Sequence, residues 1–214
     1  MYRLISPKNS SDRHYLASMH NLRFRVFKER LGWVRGDGIS RMEFDEYDTD
    51  DAIYLVKIDP EDNEVSACTR LIQTIKPYLL ANSFRHFLID EPIRSERCYE
   101  TSRFAADPDK KQPNNITGEL VAAMLEFGVF VRMQNYVSLS DIRIEKLLLR
   151  FGWDPTPLGL VGQTANEDSI AFIYTVNQEV LDNVRKKSKV ESDLVLNLRE
   201  FVENLNVEAL KRAA

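Results

Sequence analysis

Apolar residues recur at helical spacing through Leu16, Met19, Leu22, Val26 and Phe27, which predicts a helix over 14–28. Ahead of it, 2–5 reads as a short strand, and Ser10-Ser11-Asp12 as a helix cap. Gly32, Gly36 and Gly38 then break regular structure. Residues 36–51 read as a long acidic loop, and loops of that length in a compact domain usually serve function. A strand over 52–58, a turn at 59–63 and a hairpin mate over 64–72 follow. Residues 78–87 are an apolar connection, and 98–105 a strand rich in polar side chains.

Further on, Thr117 is placed to cap a helix over 118–132, with Glu119 in its first turn where a carboxylate suits the dipole. A short strand over 136–140 leads to Asp141, which opens a helix to Phe151 that Gly152 ends. Residues 158–162 and 169–175 read as a late pair of strands, and the chain beyond Asn177 as helical. This order fits one domain over 1–214, an α/β fold with a three-layer αβα sandwich on a mixed sheet.

One stretch, 22–48, carries more than core pattern. Arg23, Phe27, Arg30 and Trp33 fall at intervals of four, three and three, so one helix face and its exit can carry them all. Glu43, Asp45 and Asp48 follow closely. Charge on a partly apolar face is costly unless paired, which points to acidic partners for Arg23. Aromatic walls with paired charges suit a small zwitterionic ligand; the plain alternative is an amphipathic helix beside a solvated acidic loop.

Composition narrows the classes. The chain has 214 residues, 43% of them apolar, which suffices for one sizeable core. A net charge of −4 and the lack of a basic, aromatic-interleaved tract argue against nucleic-acid binding. No apolar run has the length of a membrane span, and MYRLISPKNSSD lacks a signal-peptide core, so a cytoplasmic protein is expected. Cys68 and Cys98 sit in apolar strand text and read as reduced core thiols. His14, His20 and His86 show no ligand spacing, so no metal site is expected.

The pattern R-x3-F-x2-R-L-x-W over 23–33, then E-x-D-x-Y-D over 43–48, resembles the signature of the acyl-homoserine-lactone synthases, the LuxI-type autoinducer synthases of quorum sensing. The resemblance continues through Arg70-Leu71, Lys76-Pro77-Tyr78-Leu79-Leu80 and Glu100-Thr101-Ser102-Arg103-Phe104, covering 22–153. The chain departs from the family at Arg35, where an aliphatic residue is usual. The family's fold is similar to that of the GNAT acyltransferases, which would make the polar strand over 98–105 central.

What the resemblance implies is an acyl transfer to the amine of S-adenosyl-L-methionine, a substrate and not a cofactor. The donor would be an acylated carrier protein or acyl-CoA. The new amide's homoserine part then closes to a lactone with release of methylthioadenosine. No other cofactor is expected. Only a neutral amine attacks a thioester, and Glu100 is the candidate base, with a salt bridge to Arg23 or Arg70 as its structural alternative. Arg70 and Ser102 complete the expected catalytic group. Alternation puts Glu100, Ser102 and Phe104 on one strand face and Thr101 and Arg103 on the other, unless a bulge re-aims them.

For S-adenosylmethionine the expected contacts are Asp45 and Asp48 on the ammonium and ribose side, Arg103 at the carboxylate, and Phe27 and Trp33 at the adenine or sulfonium, with Arg23 also in the binding group. Ser138, Ser140, Leu125, Phe104 and Trp153 are the expected acyl-chain pocket, with Phe127, Val137 and Leu139 as further candidates. A hydroxyl at 138 or 140 bears on 3-oxo chains. Arg143, Lys146 and Arg150 lie on one helix face, where an acidic carrier could dock or where charges are merely solvated. A GNAT-type N-acyltransferase acting on another amine is the rival, weakened because 105–115 has no glycine and two prolines with which to cradle a pyrophosphate. A non-catalytic small-ligand sensor is the second rival.

Overall fold

Branched and aromatic residues crowd into the strands, and the sheet forms where they do. The computed structural model describes residues 1–32, 41–107, 109–110, 115–164 and 167–213. The strands are β1 (Tyr2–Ile5), β2 (Ile53–Ile58), β3 (Val65–Gln73), β4 (Cys98–Ala106), β5 (Asn135–Asp141), β6 (Pro155–Pro157), β7 (Gly162–Thr164) and β8 (Glu167–Thr175). They make one sheet in the order β1-β2-β3-β4-β5-β8-β6, with β7 also on β8. Every pairing is antiparallel except β4 with β5. The polar strand is therefore central in a mixed sheet, as expected.

Helices cover both faces. On one side lie α1 (Arg13–Arg23) and the short α2 (Leu79–Asn82), whose Met19, Leu22, Leu79 and Leu80 join Val56, Cys68 and Ile72 in one core. On the other lie α3 (Ile116–Phe130), α4 (Arg143–Phe151), α5 (Gln178–Ser188) and α6 (Leu198–Ala213). There Leu120, Leu125, Phe127 and Val184 pack with Leu4, Leu55 and Leu71 in a second core. Strand residues alternate between the two cores, the period-two signature of a sheet covered on both faces. Among the described residues no helix is long and apolar enough to cross a membrane.

Several boundaries move. Asp12 does not cap α1; its carboxylate accepts the Ser6 N–H instead, and Asn9 caps a short 3-10 turn, Ser10–Asp12. Thr117 lies inside α3, with Asn115 ahead of it. Asp141 does accept the Arg143 N–H as α4 opens, and Gly152 ends it at φ +82°, where a side chain would be strained. The expected strand over 158–162 is displaced. Pro155–Pro157 takes the edge position, where a missing N–H faces no neighbour, while Leu158 donates to Ala171 O at 2.8 Å and accepts from Ile89 N at 3.2 Å.

Candidate active site

The site starts from an irregularity in β4. Ser102 pairs with Arg70 and Ala105 with Cys68, so two residues, Arg103 and Phe104, stand opposite Thr69. This is a β-bulge, and Arg103 sits at its bend with φ +56°. Strict alternation therefore fails. Ser102 accepts from Arg70 Nε at 3.2 Å, and Arg103 Nη2 donates to Asp45 at 2.6 Å, so both residues serve the α1 side. Phe104 is turned to the surface.

Beneath the bulge, three arginines and three carboxylates form one lattice. Arg23 donates through Nε to Glu43 at 2.6 Å and through Nη1 and Nη2 to Asp48 at 2.7 and 2.8 Å. Arg70 Nη1 reaches Asp45 at 2.5 Å and Asp48 at 2.9 Å. Arg103 Nε reaches Glu43 at 3.0 Å. Tyr54 adds a hydroxyl to Asp48 at 2.8 Å. Arg23 and Arg70 are fully buried. Removing such charges from water is tolerable only because each guanidinium faces carboxylates at short range. Burial by itself would raise the Asp45 and Asp48 pKa values, but the arginines outweigh it and hold both below 3.8.

Asp45 and Asp48 thus face arginines, not open space, a correction to their expected direct contact with a ligand. Their backbone explains why. Asp48 accepts the Asp45 N–H and Asp45 the Tyr47 N–H, tight turns that Asp favours. The loop is tied to α1 at His20, whose carbonyl accepts from Glu43 N at 3.0 Å while its Nδ1 lies 2.7 Å from Glu43 O.

After α1 the chain continues as a π-helical segment, Phe24–Arg30, with Leu31 N bonded to Val26 O five residues back. This widened turn breaks the expected common face. Phe27 is buried with the Arg103 guanidinium 5.7 Å from its ring centre, whereas Arg30 is exposed. Trp33 lies outside the described residues.

Glu100 is enclosed on β4. Its two oxygens accept Leu79 N at 3.0 Å and Leu80 N at 2.6 Å, at the start of α2. The expected salt bridge to Arg23 or Arg70 is not what holds it; Arg70 acts on it only through its field. Burial pushes its pKa up to about 7, against the pull of those two N–H groups and Arg70. A carboxyl poised near neutrality is suited to take a proton.

β4 and β5 stay paired only from Cys98↔Asn135 to Glu100↔Val137. Beyond that point a cavity of about 330 Å³ opens between them. Phe27, Ser102, Arg103, Phe104, Ser138, Ser140, Leu139 and Trp153 line it, with Met124 and Leu148 from the far face of the sheet. Leu125, Phe127 and Val137 do not. All three are buried in the cores; α3 turns Val121 and Met124 toward the cavity in place of Leu125 and Phe127, and Val137 lies where β5 is still paired with β4. Arg23, Arg70, Asp45, Asp48 and Glu100 lie behind the lining.

Thr101, Thr117 and Tyr174 also line the cavity and escaped the sequence reading. Tyr174 alternates with Ile170 and Phe172 along its strand, a pattern that core packing alone accounts for. Arg143, Lys146 and Arg150 are exposed on α4; Arg143 borders the cavity and bonds Asp141 and Glu167. Arg185, in the basic run at the end of α5, is half-buried and donates to Glu126 at 2.8 Å.

Among the described residues no group of three or more His, Cys, Asp or Glu side chains is placed to hold a metal ion. Cys68 and Cys98 are buried free thiols.

Comparison with known proteins agrees with this geometry. The family model described as autoinducer synthase matches residues 8–190. The chain is 32% identical over 178 residues to an acyl-homoserine-lactone synthase of Pseudomonas aeruginosa, covering 81% of this chain and 88% of that one. Its fold superposes on the synthase LasI with a TM-score of 0.77 at 28% identity, covering 90% of this chain and 98% of that one. On the CoA-dependent acyl-homoserine lactone synthase MesI the TM-score is 0.83 at 20% identity, covering 92% and 100%, a likeness of fold. The chain belongs to the autoinducer synthase family, the acyl-homoserine-lactone synthases.

Proposed function

We propose that S-adenosyl-L-methionine lies against Arg103 and Phe27 over the arginine–carboxylate lattice, and that the acyl chain runs between β4 and β5 into the apolar end of the cavity. The carrying observation is the cavity's two-ended character. Arg103 enters the cavity beside Phe27 of the α1-side core, and Met124, Leu148 and Trp153 belong to the second core. A site that joins a charged amino-acid derivative to a hydrocarbon tail needs such a division.

The enzyme is an acyltransferase. It acylates the amine of S-adenosyl-L-methionine and makes an acyl-homoserine lactone, a quorum-sensing signal. In the chemistry we assign to the site, the ammonium loses a proton, with Glu100 as acceptor through a water. The neutral amine attacks the thioester carbonyl, the C–N bond forms, and the thiolate leaves and takes a proton. Backbone N–H groups of β4, where β5 has parted from it, stabilise the oxyanion. The substrate carboxylate then attacks the carbon next to the sulfonium; a C–O bond forms, the C–S bond breaks, and methylthioadenosine departs.

Arg103 pairs with the substrate carboxylate. Arg23, Arg70, Asp45 and Asp48 act through it by fixing its guanidinium. Arg143, Lys146 and Arg150 offer an acidic acyl carrier protein a docking face beside the cavity mouth. Both substrates are metabolites of the cytoplasm, where the enzyme would work. Incubation with labelled S-adenosylmethionine and acyl thioesters tests the reading. Labelled, organic-extractable lactone is expected, and its loss in Arg103→Ala. Undiminished product from that variant would remove Arg103 from the site.

A further inference from the structure

Outside the lattice, the pair Arg25 and Asp107 is built as a clamp. Arg25, on the π-helical segment, donates through Nη1 to Asp107 Oδ1 at 2.8 Å and through Nη2 to Oδ2 at 2.7 Å. A guanidinium that holds both oxygens fixes orientation as well as distance. The Asp107 side chain is wholly buried, although that of Arg25 is 26% exposed. Asp107 also accepts Asp109 N at 3.0 Å. Its own N–H goes to Ser66 O at 2.8 Å, one step beyond the last register pair of β3 and β4.

Neither residue lines the cavity, but each is a near neighbour in sequence of residues that do. Phe27 and Leu31 follow Arg25 on one wall; Ser102, Arg103 and Phe104 precede Asp107 on the other. Among the strands, β3 alone supports that second wall. There β4 has left β5 after Glu100, and its bulge sets two residues opposite Thr69. The first wall is the widened turn, which departs from α-helical bonding. The ion pair bridges the two walls, across which the Arg103 guanidinium stands 5.7 Å from the Phe27 ring centre.

We infer that Arg25 and Asp107 are positioning residues for S-adenosylmethionine. Their pair holds the wall that carries Phe27 against the strand that carries Arg103, and so sets the space between them. Walls already fixed need no ordering when the substrate binds, whereas walls free to shift must be ordered at the expense of affinity. That difference is shared by ground state and transition state, so it enters KM and leaves kcat alone. The inference rests on the reading that the substrate lies against Phe27 and Arg103.

The test compares KM for the two substrates in wild type, Arg25→Gln, Arg25→Lys, and Arg25→Gln combined with Asp107→Asn. Arg25→Gln leaves a buried carboxylate without its cation and could fail to fold; the double variant removes both charges and keeps the test decisive. KM for S-adenosylmethionine is expected to rise about threefold to tenfold in Arg25→Gln and in the double variant alike, with kcat and the acyl-thioester KM unmoved. Arg25→Lys keeps the charge but loses the fork, and should fall between wild type and Arg25→Gln. A merely structural loss would shrink the active fraction, lowering kcat and leaving both KM values in place. An unchanged KM for S-adenosylmethionine in the double variant, or an equal rise for both substrates, would overturn the inference. An unchanged KM in Phe27→Ala would instead overturn the reading on which it rests.

Discussion

Arg70 and Arg103 share one carboxylate. Asp45 accepts from Arg70 Nη1 at 2.5 Å and from Arg103 Nη2 at 2.6 Å, so a residue of β3 and a residue at the β4 bulge meet on a loop side chain. Two cations brought this close need an anion between them. The loop is thereby bound to the sheet at the place where β4 leaves β5.

Loss of Arg70 should be felt as loss of fold. Arg70→Ala leaves Asp45 and Asp48 buried with one cation fewer, and breaking such a pair costs about 3–5 kcal/mol. Denaturant unfolding of the variant against wild type measures it. Wild-type stability would mean that the lattice contributes nothing to the fold.

Stability should depend on pH in two opposed ways. The Asp45 and Asp48 pKa values are depressed, so their contribution is present above 3.8 and is lost as pH falls through the folded values. Glu100 is raised, so its contribution is full below 4.5 and is lost as pH rises through about 7. That decline is on the order of 3 kcal/mol. Unfolding midpoints from pH 4.5 to 7 should fall in wild type beyond the trend in Glu100→Gln. Parallel curves would show that Glu100 titrates as an ordinary carboxyl.

The same residue should shape the rate profile. With Glu100 as base, kcat/KM rises along a limb with an apparent pKa of about 7. Glu100→Gln should remove the limb and lower kcat roughly 10²- to 10⁴-fold. Retention of the limb in that variant would assign it to another group.

Filling the cavity should shorten the preferred chain. Leu148 and Met124 line the cavity from the second core. Leu148→Phe should move the preference to shorter thioesters, with about 1–3 kcal/mol of strain where the ring does not fit. Turnover across a series of chain lengths reads the shift, and an unshifted optimum would place the tail elsewhere.

Charge reversal on α4 should separate the donors. Lys146→Glu with Arg150→Glu is expected to raise KM for acylated carrier protein several-fold and to weaken its salt dependence. Kinetics at two ionic strengths, with acyl-CoA as comparison, check it. An unaffected carrier KM would leave α4 a solvated face.

The elements were legible in the sequence because local pattern sets them. The apolar, branched runs of β2 and β3, the helical spacing in α1 and α3, and Gly152 at the end of α4 each depend on near neighbours. The resemblance over 22–153 named Arg23, Arg70, Glu100 and Arg103, and Ser138 and Ser140 were named with the strand that holds them. Tertiary structure decided what these residues touch. A bulge is a mismatch between two strands, invisible in either one, and it turned Arg103 to the side of Ser102. The cavity exists because β4 and β5 part after Glu100 and Val137, and whether Leu125 or Met124 meets it depends on how α3 is rotated upon the sheet. Tyr174 joins Ser138 only through the pairing of β5 with β8. Burial likewise belongs to the whole fold, and burial is what raises Glu100 to neutrality while paired arginines keep Asp45 and Asp48 charged.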